Sequence, residues 1–168
     1  MKYTGPKFKW CRREGKNLFG RKKYDIRKRR TLPGQSGQSI GRLSEYGKLL
    51  RNKQSLKRMY LLTEKQFKRL VMDQAGSYAK NNDIDHDDAV VQFLERRLDA
   101  TVLKAGFAKT IMQARQMVGH EHFRLNGNKH NASAYFVKKG DKIKLKDSLK
   151  TSPLYMDCPL NNGYKVPS

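Results

Sequence analysis

The fold is decided by residues 94–145, LERRLDATVLKAGFAKTIMQARQMVGHEHFRLNGNKHNASAYFVKKGDKIKL. From Val90 to Val118 the apolar residues recur at helical spacing, whereas from His122 to Leu145 they alternate with polar residues. Turn signals at Asn126-Gly127 and Gly140-Asp141 divide the alternating part. The pattern predicts an α+β fold in which two short helices precede a small antiparallel sheet.

Both helices of this unit carry start and stop signals. A set of apolar residues at four-residue steps predicts the core face of one helix that ends at Gly106-Phe107: Val90, Leu94, Leu98 and Val102. Thr110 with Gln113 three residues later is a capping box, which predicts the start of the second helix. That helix is expected to end at Gly119.

The alternating part predicts a hairpin and a further strand. Residues 123–125 and 129–131 flank Asn126-Gly127-Asn128, and Asn and Gly accept positive φ, so a hairpin is predicted here. Residues 142–146, KIKLK, alternate basic and apolar side chains. This is typical of a half-buried strand with a cationic outer face.

The net charge of +22 restricts the classes of partner. Residues 1–69 hold 22 Lys and Arg against 4 Asp and Glu, whereas residues 70–168 hold 15 against 11. Nucleic acid is the expected polyanion, since binding to phosphates releases counterions, and an anionic membrane surface is the weaker alternative. No apolar run approaches the roughly 20 residues of a spanning helix. The start lacks the apolar core of a secretion signal.

Residues 1–43 are basic and rich in Gly and Pro, so little regular structure is expected there in isolation. Aromatic residues among these charges either stack on bases or anchor the segment to the protein: Tyr3, Phe8, Trp10 and Phe19. Cys11 and Cys158 form no disulfide framework and are read as reduced thiols.

Residues 44–79 predict two helices. Ser44 can cap the first, and Thr63 with Gln66 forms a capping box for the second, which is expected to run to about Ala75 and to stop at Gly76. The acidic stretch 81–88 lacks the Gly and the final Glu of a calcium loop, so it is read as a helix start.

Two further features of the sequence give weaker signals of structure or function. His120 and His122 have no Cys or acidic pair that would complete a zinc site, so they are read as RNA-facing or capping residues. The tail from Thr151 has no periodicity, and Leu154, Tyr155 and Tyr164 can anchor it.

Spaced motifs in residues 94–141, LERRLD, GFAKT, QARQMVGH, LNG and GD, resemble a small RNA-binding module. The module occurs in bacterial small-subunit ribosomal protein number four, in pseudouridine synthases, in a tyrosyl-tRNA synthetase and in a heat-shock RNA-binding protein. The flanking motifs YTGPK (3–7), CRREG (11–15), PGQSGQ (33–38) and LSEYGKLLRNKQSLKRMY (43–60) are similar to the ribosomal protein's own N-terminal region. The resemblance covers residues 1 to about 148.

The resemblance implies a structural, non-enzymatic constituent of a bacterial, cytoplasmic ribosome, with an organellar ribosome the weaker alternative. Its members bind the five-prime domain of small-subunit rRNA early, nucleate assembly, and lie near the mRNA entry channel. They contact the fifth small-subunit protein at an interface linked to decoding accuracy, and some repress translation of their own message. The implied division is a basic rRNA-binding extension (1–43), a helical region (44–88), the module (89–148) and a tail (149–168).

Site residues are carried over from the family by matching motif positions. In the module the expected RNA contacts are Arg96, Lys109, Thr110, Gln113, Arg115, Gln116, His120 and Asn126. In the N-terminal region they are Lys7, Arg12, Arg13, Gln35, Gln38, Arg42, Arg51 and Lys53. Arg and Lys suit phosphates, whereas Gln and Asn suit base edges or 2′-hydroxyls.

Three features of the sequence depart from the family pattern. Ile111 stands where many members have Arg. Of the four zinc-binding cysteines in some members only Cys11 remains, so no zinc, other metal or cofactor is expected. The family's further helical stretch after the module is replaced by the tail from Thr151, which bears on the expected contact with the fifth protein.

Two rival functions share the module. An RNA-modifying enzyme needs a catalytic domain of well over a hundred residues, and no segment outside the module is long enough. A heat-shock type RNA chaperone or ribosome-rescue factor needs neither the CRREG segment nor the helical region, and both are present.

Overall fold

The computed structural model describes residues 3–38, 43–155 and 164–165, which fall into two compact units divided between Phe67 and Lys68. The first unit is helical, and the second combines helices with a small antiparallel sheet, so the predicted α+β class is confirmed. None of the helices in these ranges combines the length and apolarity needed to cross a bilayer. The division of the chain at residues 43, 88 and 148 stays a prediction.

The first unit contains helix α1 (Lys7–Glu14), helix α2 (Glu45–Met59) and the start of helix α3 (Glu64–Arg69). Between α1 and α2 the chain makes 3₁₀ turns at Lys22–Tyr24, Ile26–Lys28 and Gln35–Gln38. The prediction of little regular structure in residues 1–43 is wrong at α1. Cys11 on α1 is fully buried, and Leu18 and Phe19 are buried after it, so the segment has an apolar anchor of its own.

Aromatic residues of this segment anchor it rather than standing free. Trp10 stacks on Tyr3 with ring centroids 3.8 Å apart, and the Arg58 guanidinium lies 5.4 Å from the centre of the Trp10 ring. Phe19 is 8 % exposed and packs edge-on against Tyr24. The anchoring alternative therefore holds for Trp10 and Phe19.

The predicted helix caps of the first unit are confirmed. The Ser44 hydroxyl accepts a hydrogen bond from the Gly47 amide at 3.2 Å. At α3 the Thr63 hydroxyl accepts from the Gln66 amide at 3.3 Å, while the Gln66 side-chain carbonyl accepts from the Thr63 amide at 3.1 Å. These bonds satisfy amide groups that lack an intrahelical partner in the first turn.

The helix that begins at Glu64 does not stop at Gly76. It passes through a π-helical turn (Leu70–Ala75) into helix α4 (Gly76–Asn82), and Gly76 has helical angles of φ −62° and ψ −44°. Ala75 and Ala79 on either side of Gly76 are both buried, so tertiary packing outweighs the roughly 1 kcal/mol helix penalty of glycine.

The predicted helix through Val90 to Val102 is two helices, α5 (His86–Glu95) and α6 (Leu98–Lys104). Arg97 between them is extended and forms an isolated β-bridge with Phe136. The burial pattern is nevertheless as predicted, since the four apolar residues of the expected stripe are at most 7 % exposed: Val90, Leu94, Leu98 and Val102. The acidic stretch does begin a helix, because Asp87 and Asp88 lie in the first turn of α5.

Helix α7 (Ile111–Gly119) is followed by a sheet with the strand order β2-β1-β3-β4. Its antiparallel strands are β1 (Phe123–Leu125), β2 (Asn128–Lys129), β3 (Lys142–Leu145) and β4 (Tyr164–Lys165). The core joins α6 and α7 to the inner face of the sheet through Leu98, Val102, Ala114, Met117, Val118, Phe123, Leu125, Ile143 and Leu145. The second unit is therefore a helix layer on one face of a sheet.

Residues after β3 pack on the same core. Tyr155 is fully buried beside Phe123, and its hydroxyl lies 2.6 Å from Nδ1 of His122. Leu154 is 53 % exposed and is not an anchor, whereas Tyr164 pairs through its backbone with Ile143.

The predicted hairpin is present, but its turn has two residues instead of three, because Asn128 pairs with Leu125 and begins β2, which ends at Lys129 and not at Asn131. Leu125 pairs with Asn128, and the turn residues Asn126 and Gly127 have φ of 51° and 88°. Both values are positive, as the turn type that matches the twist of antiparallel strands requires.

Gly127→Ala is expected to destabilise the protein by about 1–2 kcal/mol, because a side chain is disfavoured at this φ. Gly119→Ala is the matched control, since Gly119 is the last residue of α7 and a Cβ there meets no atom within 4 Å. Urea unfolding measures both. Equal stability of the two variants would contradict the turn assignment.

Candidate nucleic-acid interface

A buried carboxylate, Asp99, lies at the centre of the candidate interface. Asp99 is fully buried at the start of α6, and its Oδ1 and Oδ2 accept from Nε and Nη2 of Arg97 at 3.2 and 3.1 Å. The same Oδ2 accepts from Nε and Nη2 of Arg115 on α7 at 3.0 and 2.7 Å. Charge-assisted bonds of this kind hold both guanidinium groups in set orientations.

The start of α7 brings three predicted site residues together. Thr110 is buried as the N-cap, and its hydroxyl accepts from the Gln113 amide at 3.2 Å. The Gln113 side-chain carbonyl accepts from the amide of Lys109, not of Thr110, at 2.9 Å. The predicted capping box is thus shifted by one residue. Lys109, which precedes the N-cap of α7, and Gln116 on α7 are both exposed.

The other three predicted contacts of the module lie apart from this group. Arg96 sits in the break between α5 and α6, where its Nε donates to the Val137 carbonyl at 3.2 Å. His120 is exposed at the end of α7. Asn126 lies in the hairpin turn, where its amide donates to Asp141 and its carbonyl accepts from the Lys142 amide, each at 2.9 Å.

In the first unit, three predicted contacts form internal bonds. Arg12 donates to the carbonyls of Thr31 and Leu32 at 2.9 and 3.0 Å, which ties α1 to the connecting segment. Arg51 pairs with Glu14 at 3.5 Å, and Lys53 pairs with Glu64. Arg51 and Lys53 are therefore already part of the protein's own ion pairs, and Arg12 is engaged by backbone carbonyls.

The remaining predicted residues of the first unit are at the surface or outside the description. Lys7 is half-buried, and Arg13 and Gln35 are exposed. The side chain of Gln38 and the whole of Arg42 lie outside the described residues.

Two acidic side chains of the first unit were not anticipated from the sequence. The side chain of Glu14 is 1 % exposed and forms ion pairs with Arg51 and Arg58, both of which belong to α2. Glu64 pairs with Lys53 and also with Lys57 at 2.6 Å, and these two lysines lower the pKa of its carboxyl group to about 2. No sequence signal marked these pairs, because the partners are 37 to 44 and 7 to 11 residues apart in the chain.

The electrostatic balance of the module is strongly positive. Residues 96–150 contain 13 Lys and Arg but only Asp99, Glu121, Asp141 and Asp147 as acids. Asp99 is buried between arginines, Asp141 bonds to Asn126 and to the Lys138 amide, and Asp147 pairs with Lys150 at 2.7 Å. Most cations of the module therefore face solvent without an acidic neighbour.

The described histidines of the module lie beside aromatic rings. His122 is half-buried against Tyr155, and burial lowers its pKa, with the nearby His120 and Lys146 adding to the effect. Within the described ranges no group of three or more His, Cys, Asp or Glu side chains is arranged to hold a metal ion.

Comparison with known proteins gives a consistent match along the chain. Residues 2–95 match the family model described as ribosomal protein S4/S9 N-terminal domain, and residues 96–143 match the S4 domain. A protein from Kosmotoga olearia named small ribosomal subunit protein uS4 is 42 % identical over 155 residues, which cover 89 % of this chain and 72 % of the relative. The uS4 protein of Heliobacterium modesticaldum is 38 % identical over 175 residues, with 99 % of this chain and 80 % of the relative covered. That of Jannaschia sp. is 44 % identical over 159 residues, covering 94 % and 75 %.

Asp99→Ala is expected to lower the free energy of unfolding by about 3–5 kcal/mol, because it leaves the buried Arg97 guanidinium without its counter-ion. Urea unfolding monitored by circular dichroism measures the loss. Asp147→Ala removes an exposed ion pair and should change stability by no more than about 0.5 kcal/mol. A loss below about 1 kcal/mol for Asp99→Ala would contradict the central role of this carboxylate.

The Glu64 carboxyl group is expected to titrate near pH 2, because Lys53 and Lys57 stabilise its charged form. Its folded pKa is depressed, so its contribution to stability is present above its ordinary pKa of 4.5 and is lost as the pH falls towards 2. Carboxyl NMR titration measures the midpoint. Lys53→Met and Lys57→Met together should raise it towards 4.5, whereas Lys65→Met should not; a midpoint near 4.5 in the unmodified protein would refute the pairing.

Proposed function

The chain belongs to the small ribosomal subunit protein uS4 family, and from this membership we propose that it is a primary rRNA-binding protein that contacts the five-prime domain and nucleates assembly. As a member of this family it is a structural constituent of the small ribosomal subunit and not an enzyme.

The observation that carries this proposal is the uncompensated charge of the described surface. The module holds 13 basic residues, and three of its four acids are engaged inside the protein or with a neighbouring lysine. All four residues of the basic run Arg27–Arg30 in the first unit are exposed. Binding of a polyanion to such a surface releases counterions, and this release favours the complex. In the small ribosomal subunit, to which proteins of this family belong, the polyanion is rRNA.

The roles of the contact residues follow from how each is held. We assign phosphate contacts to exposed cations such as Lys109 and Arg13, and base-edge or 2′-hydroxyl contacts to Gln116 and Gln35. Arg115 acts from a fixed orientation, because Asp99 holds its guanidinium. Thr110 contributes as a helix cap that positions Lys109 and Gln113.

Further partners rest on the family resemblance. We propose that the protein lies near the mRNA entry channel, influences translational accuracy and contacts the fifth small-subunit protein in a bacterial cytoplasmic ribosome. The rival enzyme function needs a catalytic constellation, whereas the buried Asp99 serves in ion pairs and His122 packs against Tyr155.

Binding of the purified protein to a five-prime-domain transcript tests the main proposal. Affinity is expected to exceed that for a three-prime-domain transcript of equal length by about 10³-fold or more, and to fall steeply with salt. Filter binding between 50 and 300 mM KCl measures both quantities. Equal affinity for the two transcripts would reduce the protein to a non-specific RNA binder.

Lys109→Gln is expected to lower the slope of log affinity against log salt by about 1, because one phosphate contact is removed. Lys104→Gln is the matched control on the neighbouring helix, since Lys104 is paired with Glu95 at 2.9 Å and should leave the slope nearly unchanged. Circular dichroism verifies that both variants keep their helices. If Lys109→Gln and Lys104→Gln behave alike, Lys109 is not a specific contact.

A further inference from the structure

The helical run from Glu64 to Asn82 is continuous but changes type along its length. Helix α3 leads into the π-helical turn (Leu70–Ala75), and this turn leads into α4. The Gly76 amide donates to the Val71 carbonyl, five residues earlier, whereas an α-helical amide donates to the carbonyl four residues earlier. The regular bonding pattern of the helix is therefore interrupted near the middle of the run.

Gly76 weakens the same part of the helix, although the structure does not require glycine there. Its backbone angles are helical, so no positive φ excludes a side chain. A Cβ at this position would lie 3.5 Å from the Val71 carbonyl oxygen and 3.9 Å from Nε2 of His86, which are ordinary van der Waals distances. Alanine would fit and would favour the helix, so glycine keeps this helix less stable than its surroundings demand.

Ser77 adds a further weak point one residue later. Its hydroxyl donates to the Asp73 carbonyl at 2.7 Å, four residues earlier in the chain. Bonds of this kind between a serine and the preceding helical turn slightly destabilise helices and often bend them. The π-helical turn, Gly76 and Ser77 together weaken residues 71–77, which we call the hinge segment.

The two sides of this part of the helix differ in packing. Leu70, Ala75 and Ala79 are at most 7 % exposed, and the π-helical turn and α4 pack against α5. On the other side Met72 is 64 % exposed, and Ser77 is exposed as well. A helix that is held on one side bends by changing hydrogen bonds on its solvent side, so the apolar contacts with α5 can persist while it bends.

We propose that the hinge segment is the point at which the helical run Glu64–Asn82 bends when the protein binds rRNA. The RNA contacts proposed above lie on both sides of it in the chain, Arg13 before it and Lys109 after it. RNA held by both sets of contacts supplies the binding energy that favours the bent form, and low local stability keeps the cost of bending small. The bending rests on the proposed rRNA binding, whereas the local weakness does not.

Hydrogen exchange of single amides in the RNA-free protein tests the local weakness. Protection factors of residues 75–77 should be about ten-fold or more below those of Val102 and Val118, which are buried in helices of the same unit. Gly76→Ala should raise them by about five-fold, because alanine favours the helix. Equal protection of the three residues and of the two valines in the unmodified protein would overturn the proposal.

Affinity for the five-prime-domain transcript tests the bending. Gly76→Ala stabilises the conformation of the free helix, so a complex that needs a bent helix should bind about five-fold more weakly. The slope of log affinity against log salt should stay the same, because no phosphate contact is removed. A lowered slope would mean that a contact was lost, and it would overturn the inference.

Asn81→Ala is the matched control for Gly76→Ala. Asn81 is exposed in α4, outside the hinge segment, and the change also favours the helix. Affinity should therefore stay within about two-fold of the unmodified protein. An equal loss of affinity in Asn81→Ala and Gly76→Ala would contradict a hinge confined to residues 71–77.

Two further variants keep the test independent of one substitution. Met72→Gly added to Gly76→Ala returns a glycine to an exposed position of the hinge segment, and it should restore both protection and affinity. Ser77→Ala removes the bond to the Asp73 carbonyl and should weaken RNA binding in the same direction as Gly76→Ala. Circular dichroism verifies that each variant keeps its helices.

The same binding experiment separates the inference from the proposed function. Failure of the unmodified protein to bind the transcript specifically would overturn the proposed function together with the bending. Specific binding whose affinity is unchanged or raised in both Gly76→Ala and Ser77→Ala would overturn the inference alone, since the helix would then keep its free conformation in the complex.

Discussion

Two guanidinium groups share one buried carboxylate in the second unit, and the arrangement of its helices depends on that contact. Asp99 at the start of α6 holds Arg97 in the break after α5 and Arg115 on α7. Removing these three charged groups from water costs free energy, and only their mutual hydrogen bonds offset it. Loss of one partner would therefore destabilise the second unit. Because Asp99 holds the Arg115 guanidinium in this way, a buried contact determines the orientation of a cation on α7.

Three further acids of the described residues also form contacts within the protein. Glu14 is buried and forms ion pairs with two arginines of α2. Glu64 forms ion pairs with two lysines, and Asp141 accepts a hydrogen bond from Asn126 in the hairpin turn. Acids used internally leave the cations of the surface uncompensated. A protein with this distribution reaches electrostatic balance only in complex with a polyanion, which agrees with its place in a ribosomal protein family.

Local sequence signals predicted most of the elements correctly. The caps at Ser44, Thr63 and Thr110 depend on hydrogen bonds between residues at most four positions apart, and the hairpin turn at Asn126 joins strand residues three positions apart, so the sequence reveals them. The helix stop at Gly76 was wrong because burial of neighbouring alanines overrides the propensity of glycine. The break between α5 and α6 was missed for a different reason, since periodicity reports which side of a segment is buried and not whether the backbone stays helical.

By itself the sequence determined the α+β class, the buried stripe, the cationic character and the family resemblance, because these depend on residue types and their short-range spacing. Only the tertiary structure decided which cations are engaged within the protein and which face outward. Arg51, Lys53 and Arg115 resemble the other basic residues in the sequence, yet each is bound to an acid brought near by folding. Strand pairing likewise placed Arg124 beside Lys144, twenty residues apart, because register is a property of two strands and not of either one.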